Sequence, residues 1–387
     1  MSGSALINTY GERDITLVRG DGAYVWDSEG KRYLDAVAGI AVCGLGHNHP
    51  KVTDAICQQA KTLIHCSNLY NIEPQQRLGK ALIDISGMDK VFFSNSGAEA
   101  NEAAIKIARK YGQERGIGSP EIITTTGSFH GRTMATLTAT GNPKVKQGFA
   151  PLLSGFTHVP YNNLAAVKEV ANANTVAVMV EPVQGEGGVH VPDEDYLKDL
   201  RSLCDQNNWL LIIDEIQTGN GRTGKYFACQ HSNVLPDVLT TAKGLGNGVP
   251  IGACLVQGAA TDILQPGNHG STFGGNPLAT NTALAVVQTL IDDGLIKHAE
   301  DMGTFLKQAF TDRLEGNTHV KDIRGLGLML GIELDHECSD LVSKATQRHL
   351  LINIAAGNTI RLLPPLIIDQ QQAQVIIDTV CELIESL

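Results

Sequence analysis

Trp209-Leu-Leu-Ile-Ile-Asp214 is an unbroken apolar run that ends on a carboxylate. A run this short, apolar at every position rather than at alternate ones, suits a strand buried on both faces of a sheet. Similar β-branched runs occur at 90–93, 121–125, 175–180, 238–240 and 253–256, and helix-like segments at 98–111, 193–207 and 277–291 lie between or beside them. Strands alternating with helices imply a parallel or mixed sheet in a layered α/β domain. Upstream, Gly22 to Asp35 holds two short alternating runs around Asp27-Ser28-Glu29-Gly30, the pattern of an antiparallel hairpin. Downstream of about Gly294, helices mix with strands at 327–334 and 358–363, as in a smaller α+β domain. The expected division is a large domain over 50–293 and a small one built from 1–49 and 294–387.

In open α/β sheets the ligand lies beyond the carboxyl ends of the strands. The residues that follow the apolar runs are therefore the ones to examine: Ser94-Asn-Ser-Gly-Ala98, Gly127-Ser-Phe-His-Gly-Arg132, Glu181-Pro-Val-Gln-Gly-Glu186, Asp214-Glu-Ile-Gln217 and Lys243.

Composition narrows the classes. The 387 residues carry 41 Asp and Glu against 30 Lys and Arg, a formal net charge of −11. Such a balance argues against a nucleic-acid binder, which needs clustered cations for phosphates. Hydrophobic residues make up 42% and charged ones 18%, enough apolar material for a large core and too little charge for disorder. Residues 1–14 show no targeting pattern. The longest stretch free of Asp, Glu, Lys and Arg, 263–291, is broken by Gln265, Pro266, Asn268, Asn276 and Pro277, so no membrane span is expected. Eight scattered cysteines without a Cys-x-x-Cys pair read as core residues in a reducing compartment. The chain is expected to be cytoplasmic.

Three strings look like motifs and fail on context. Gly219-Asn-Gly-Arg-Thr-Gly224 spells the dinucleotide pattern, but five residues separate it from the strand ending at Ile213. With Lys225 it nearly spells a P-loop, yet Tyr226 stands where Ser or Thr is required. His47 and His49 lack a third ligand nearby, and a turn leading into a helix that starts at Pro50 accounts for them. No metal site is expected.

Ser96 is a good N-cap, Gly97 permits close backbone approach and Ala98 opens a helix-forming run, so this turn can hold a phosphate on helix N–H groups. Alone, it also fits an ordinary capped helix. Asp214 ends the most apolar strand, and Lys243 follows another run and precedes Gly244. Desolvation there would lower the Lys243 pKa and make the amine nucleophilic, although a plain Asp–Lys ion pair would look the same in sequence.

Taken together and in order, the strings resemble the class III (ω-amino) aminotransferases, a family of pyridoxal-phosphate enzymes. They are Asn95-Ser-Gly-Ala-Glu-Ala-Asn-Glu102, Phe129-His-Gly-Arg-Thr133, Glu181-Pro-Val-Gln-Gly-Glu-Gly-Gly188, Asp214-Glu-Ile-Gln-Thr-Gly219 and Ala242-Lys-Gly-Leu245, followed by Ser271-Thr-Phe-Gly-Gly-Asn-Pro277 and Arg361-Leu-Leu-Pro-Pro365. Asn8-Thr-Tyr-Gly11 and Ala38-Gly-Ile-Ala-Val42 extend the likeness across nearly the whole chain. The resemblance implies a fold-type I aminotransferase, with a mostly parallel seven-stranded sheet in the large domain. It implies that Lys243 bonds pyridoxal 5′-phosphate and moves the substrate proton, while Asp214 holds the pyridinium proton. Phe129 would stack on the ring, Gln217 would bond its phenolic oxygen, and Ser96, Gly97 and Ala98 would bind the phosphate. Thr272 would reach the phosphate of a neighbouring subunit, so a homodimer with shared sites is expected.

For substrates, the resemblance implies N-acetylornithine as amine donor and 2-oxoglutarate as acceptor. Arg361 would bind the glutamate α-carboxylate, with Glu186 covering that charge while the donor is present. Arg132 would take the donor's α-carboxylate, with Ser271 nearby. Segment 37–44 lacks the tyrosine that ornithine-specific relatives carry, which favours an acylated donor. Succinylornithine, succinyldiaminopimelate, ornithine and 4-aminobutyrate remain open as donors. Glu186 with Arg361 argues against a mutase or decarboxylase on this scaffold, and Lys243 with Asp214 against a non-catalytic regulator.

Overall fold

The computed structural model describes residues 5–11 and 14–387. The reading of 1–14 as free of targeting pattern therefore lies partly outside the described residues, at 1–4, 12 and 13, and so do those positions of the expected small domain. Three sheets organise the described residues.

Leu17–Asp21 (β1), Tyr24–Asp27 (β2) and Arg32–Asp35 (β3) form an antiparallel ribbon. The expected hairpin is present, and its turn is closed by one side chain. Asp27 Oδ1 accepts from the N–H groups of Glu29 and Lys31, both at 2.9 Å, and Oδ2 accepts from the Tyr33 hydroxyl at 2.7 Å. An aspartate that bonds its own downstream backbone specifies a turn in this way. His47, set aside above as a metal ligand, lies 2.9 Å from Asp35, and His49 is the N-cap of the helix Pro50–Thr62.

The central sheet has seven strands: Lys90–Ser94 (β4), Glu121–Thr125 (β5), Phe156–Val159 (β6), Thr175–Val180 (β7), Leu210–Asp214 (β8), Val238–Thr241 (β9) and Gly252–Val256 (β10). Their order is β4-β10-β9-β8-β7-β5-β6, and β10 alone runs antiparallel to its neighbours. Strands β7 to β10 are buried at every residue, which is why their sequences do not alternate. Within this sheet, β6 lacks an advance signal: Phe-Thr-His-Val sits half-buried at the sheet edge and needs no apolar run.

Successive residues of each strand point to opposite faces. Ala177, Met179, Leu210 and Ile212 pack with Ala103, Ala104 and Ala108 of the helix Gly97–Glu114. Val178, Val180, Leu211 and Ile213 pack with the helices Tyr196–Asn207 and Pro277–Asp292. Glu181 and Asp214, each one step beyond its strand's apolar residues, fall on the face of the Gly97–Glu114 helix.

The third sheet comes from the C-terminal part: Val320–Leu326 (β11), Met329–Leu334 (β12), the two-residue Leu350–Leu351 (β13), Asn353–Ala355 (β14) and Thr359–Leu362 (β15). Its order is β11-β12-β15-β14, while β13 leaves it to pair in parallel with β3. The helices Leu295–Arg313 and Gln370–Glu385 pack beside it. No helix among the described residues is long and apolar enough to cross a membrane.

Gly303 is the point where the helix Leu295–Arg313 meets the β11–β12 turn. A Cβ there would stand 2.0 Å from the carbonyl oxygen of Gly327, a backbone atom that cannot swing aside. Gly303→Ala is expected to lower stability by about 1–3 kcal/mol, the usual range for overpacking. Thermal or urea melts of the variant check this, and an unchanged midpoint would remove the claim of backbone contact.

Candidate active site

At the carboxyl ends of the parallel strands lies a cavity of about 430 Å³. It is lined by Ser96, Gly97, Ala98, Phe129, Arg132, Glu186, Asp214, Gln217 and Lys243, nine of the residues singled out from sequence, and also by His130 and Glu181.

One wall is the start of the helix Gly97–Glu114. Ser96 is its N-cap and accepts from the Glu99 N–H at 3.2 Å; the Glu99 carboxylate reaches back to the backbone and side-chain N–H groups of Asn95, both at 2.8 Å. Gly97 and Ala98, at the first two helical positions, have no intrahelical acceptor for their own N–H groups. Both line the cavity, where the positive end of the helix dipole favours an anion. Gly97 is glycine for a local reason: a Cβ would come within 2.7 Å of the Ile216 side chain.

Asp214, 3% exposed, is surrounded by donors. Oδ2 accepts from Asn101 Nδ2 at 2.7 Å and lies 2.8 Å from His130 Nδ1, and Oδ1 accepts from the Ile216 N–H at 3.0 Å. Asn101 is itself fixed by the Thr240 hydroxyl at 2.7 Å and by the His130 carbonyl at 2.8 Å. The alternative of a plain Asp–Lys ion pair is not realised, because Asp214 pairs with His130 and makes no ion pair with Lys243.

Lys243 follows β9 with a positive φ of 42°, a conformation that costs a side-chain-bearing residue energy. Asn220 Nδ2 secures the bend by donating to the Thr241 hydroxyl at 3.0 Å and the Ala242 carbonyl at 3.1 Å. Burial is the main influence on the amine and pulls its pKa below the ordinary lysine value; Arg361 adds to this, while Glu186, Asp214 and Glu181 oppose it. A larger share of neutral, nucleophilic amine results.

Arg361 stands just behind this cavity, on β15, only 1% exposed. Its Nη1 donates to Glu186 Oε1 at 2.7 Å and to Gln217 Oε1 at 3.3 Å. Its cross-strand neighbour Asn353 on β14 accepts from Nε at 3.1 Å and from Nη2 at 2.6 Å. Burial works to raise the Glu186 pKa, but the Arg361 guanidinium, with Lys243 and Gln217, holds it below the ordinary value. The pair therefore stays ionised at neutral pH and loosens only as pH falls through that depressed value. Arg222, from the loop after β8, donates to the carbonyls of Leu328 and Pro364 and so ties the Arg361 segment to the central sheet. The surrounding Gly219–Gly224 stretch is a series of backbone turns rather than a strand–turn–helix.

Arg132, Ser271 and Thr272 lie at or beyond the edge of the cavity. Arg132 is exposed, with its guanidinium 5.5 Å from the Phe129 ring centroid, a cation–π arrangement at the cavity mouth. Ser271 reaches the rim through its hydroxyl, which accepts from Asn95 Nδ2 at 3.2 Å. Thr272 is exposed and does not line this cavity. Asn101, His130, Glu181 and Asn353 were not nominated; the first three lay inside quoted strings, and Asn353 had no local signal at all.

The residues present fit pyridoxal 5′-phosphate: an amine whose pKa burial lowers, a carboxylate in a cage of donors, an aromatic ring, and helix N–H groups for a phosphate. The family model for class-III aminotransferases matches residues 8–384. An acetylornithine aminotransferase of Nitrosomonas europaea is 53% identical, with 98% of each chain covered. One of Bordetella bronchiseptica is 48% identical, covering 99% of this chain and 98% of the other. Among solved structures, an ornithine aminotransferase from Toxoplasma gondii superposes with a TM-score of 0.94 at 35% identity, covering 98% of this chain and 92% of that one. An N-acetylornithine aminotransferase from Stenotrophomonas maltophilia gives 0.86 at 35%, with 98% of each covered. The chain belongs to the class-III aminotransferases and is a pyridoxal-phosphate-dependent transaminase.

Proposed function

We propose that the enzyme moves the terminal amino group of N2-acetyl-L-ornithine to 2-oxoglutarate, giving N-acetyl-L-glutamate 5-semialdehyde and L-glutamate, a step of arginine biosynthesis. The observation that carries this reading is the ion pair of the buried Arg361 with the half-buried Glu186 at the cavity wall. A single pocket must accept a donor whose reacting end is an uncharged chain and an acceptor whose keto group adjoins a carboxylate. A guanidinium that can be covered by a carboxylate for one and uncovered for the other meets both needs. The names of the relatives at 45–53% identity support the acylated donor.

Pyridoxal 5′-phosphate, when bound, supplies an aldehyde for the amine and a protonated ring that draws off the electron pair left by proton removal. Lys243 would hold it covalently and Asp214 would hold its ring proton. Gly97 and Ala98 N–H groups, with Ser96, would bind the phosphate, Phe129 would lie against the ring and Gln217 would bond the ring oxygen. Lys243 Nζ, once free, would take the proton from the carbon bearing the substrate amine and deliver it across the nitrogen to the coenzyme's aldehyde carbon, so that the amino group leaves the substrate. Arg361 orients the α-carboxylate of glutamate, and Arg132, with Ser271 nearby, that of the acetylated donor.

The reading includes a large domain over 50–293 and a small one over 1–49 and 294–387, the pairing of β3 with β13 joining the two parts of the latter. It includes a homodimer, with Thr272 completing the partner's site. Leu69, Tyr70 and Phe273, exposed at 84%, 70% and 60%, sit on segments that Asn68 ties together by donating to the Ser271 and Gly274 carbonyls. That face would be covered by the second copy. A cytoplasmic setting agrees with eight free cysteines.

Kinetics with a panel of amine donors and 2-oxoglutarate test the substrate: N2-acetylornithine is expected to give the highest kcat/KM, and a higher value for free ornithine or 4-aminobutyrate would overturn the assignment. Lys243→Ala should lose the visible coenzyme absorbance and the borohydride-stable label along with turnover; a retained label would place the covalent bond elsewhere. Arg361→Ala should slow the glutamate half-reaction by about tenfold or more, the worth of a charged hydrogen bond, and the acetylornithine half-reaction less. Equal losses would contradict the covering role of Glu186.

A further inference from the structure

Glu181 and Asp214 end neighbouring strands in matched register, since Val180 pairs with Ile213. Both fall on the face of the Gly97–Glu114 helix and both line the cavity. They are equally deep, at 6% and 3% exposed, yet they are treated very differently. Asp214 has Asn101, the Ile216 N–H and His130 around its two oxygens. Glu181 has a single hydrogen bond, from the Phe129 N–H to Oε2 at 3.1 Å. Its backbone is anchored separately, by the Tyr161 hydroxyl on its carbonyl at 3.0 Å.

We infer that Glu181 is a neutral carboxylic acid in the working enzyme, a positioning residue whose carbonyl oxygen fixes Phe129 and whose O–H is offered to the cavity. Two carboxylates side by side in a low-dielectric site cannot both stay charged, and the proton goes to the one with fewer donors. The charged and titratable groups around Glu181 agree. Burial, Asp214 and Glu186 push its pKa up; the Phe129 N–H and Lys243 push the other way and are outweighed. His130 lies on the far side of Phe129 in sequence and is committed to Asp214. The consequence is a division of labour: one negative charge remains under the coenzyme site, on Asp214, and the second acid anchors the aromatic wall without competing for the ring proton.

This inference rests on the proposed role of Asp214, but its test does not need turnover. Infrared difference spectra between the wild-type protein and Glu181→Gln should show at neutral pH a protonated-carboxyl stretch that the wild type has and the variant lacks, whether or not coenzyme is bound. In coenzyme titrations, Glu181→Ala should weaken binding by about tenfold, as for a buried group left without its partner. Glu181→Gln, which keeps the acceptor for Phe129 and a donor without any charge, should recover most of that loss. Absence of the band from folded wild-type protein, or equal weakening in the Gln and Ala variants, would overturn the inference, because either result makes the charge the working property. Should the wild-type protein bind no coenzyme at all, the proposed function fails while the infrared result still decides the state of Glu181.

Discussion

A strand that is apolar on both faces can carry a charge only at its end, and the charge there must be met by groups from other parts of the chain. Asp214 is such a case, at the end of β8. Its partners come from a helix (Asn101), from the loop after β5 (His130) and from its own turn (Ile216). Leaving a buried carboxylate unmet would cost several kcal/mol, so these three segments are held in mutual register by one side chain. Asn101 extends the link to Thr240, two residues before the bend that presents Lys243.

The same logic governs the second charge centre. Arg361 is among the largest fully buried side chains, and every polar contact around it comes from a different segment: Glu186 after β7, Gln217 after β8, Asn353 on β14. A substrate carboxylate replacing Glu186 would leave the other partners in place, so the exchange costs little reorganisation. The site therefore holds two preformed electrostatic nodes, one around Asp214 and one around Arg361; under the proposed function the first stays fixed and the second is exchanged.

Much of this was legible in sequence because the central strands are long, buried and uninterrupted. The runs at 121–125 and 175–180 coincide with β5 and β7, and the helices starting near Ala98 and Pro277 lie within a residue of their observed starts. The edge strand β6 and the first strand β1 escaped because half-buried residues in the one and exposed residues in the other leave no periodic trace. Nine cavity-lining residues were legible in the ordered strings, since each lies at or soon after the end of a central strand. Those acting one contact further out were not: Asn101 and His130 look like ordinary helix and loop residues until Asp214 is placed between them. Asn353 is recognisable only through cross-strand pairing with Arg361, a contact that no local pattern encodes. Glu181 was visible as a strand-end acid, but its contrast with Asp214 depends on counting donors in three dimensions.

The parallel pairing of Leu34 with Leu350 has a bearing on how the polypeptide is made. On the ribosome, the first ribbon emerges long before the residues that complete its free edge, so the nascent chain must keep that edge unmated while the central sheet assembles. An open strand edge invites pairing with other chains, and contacts between segments so remote form slowly. Joining the two parts is then a late event of biogenesis, possible only after the strand at Leu350–Leu351 has been made.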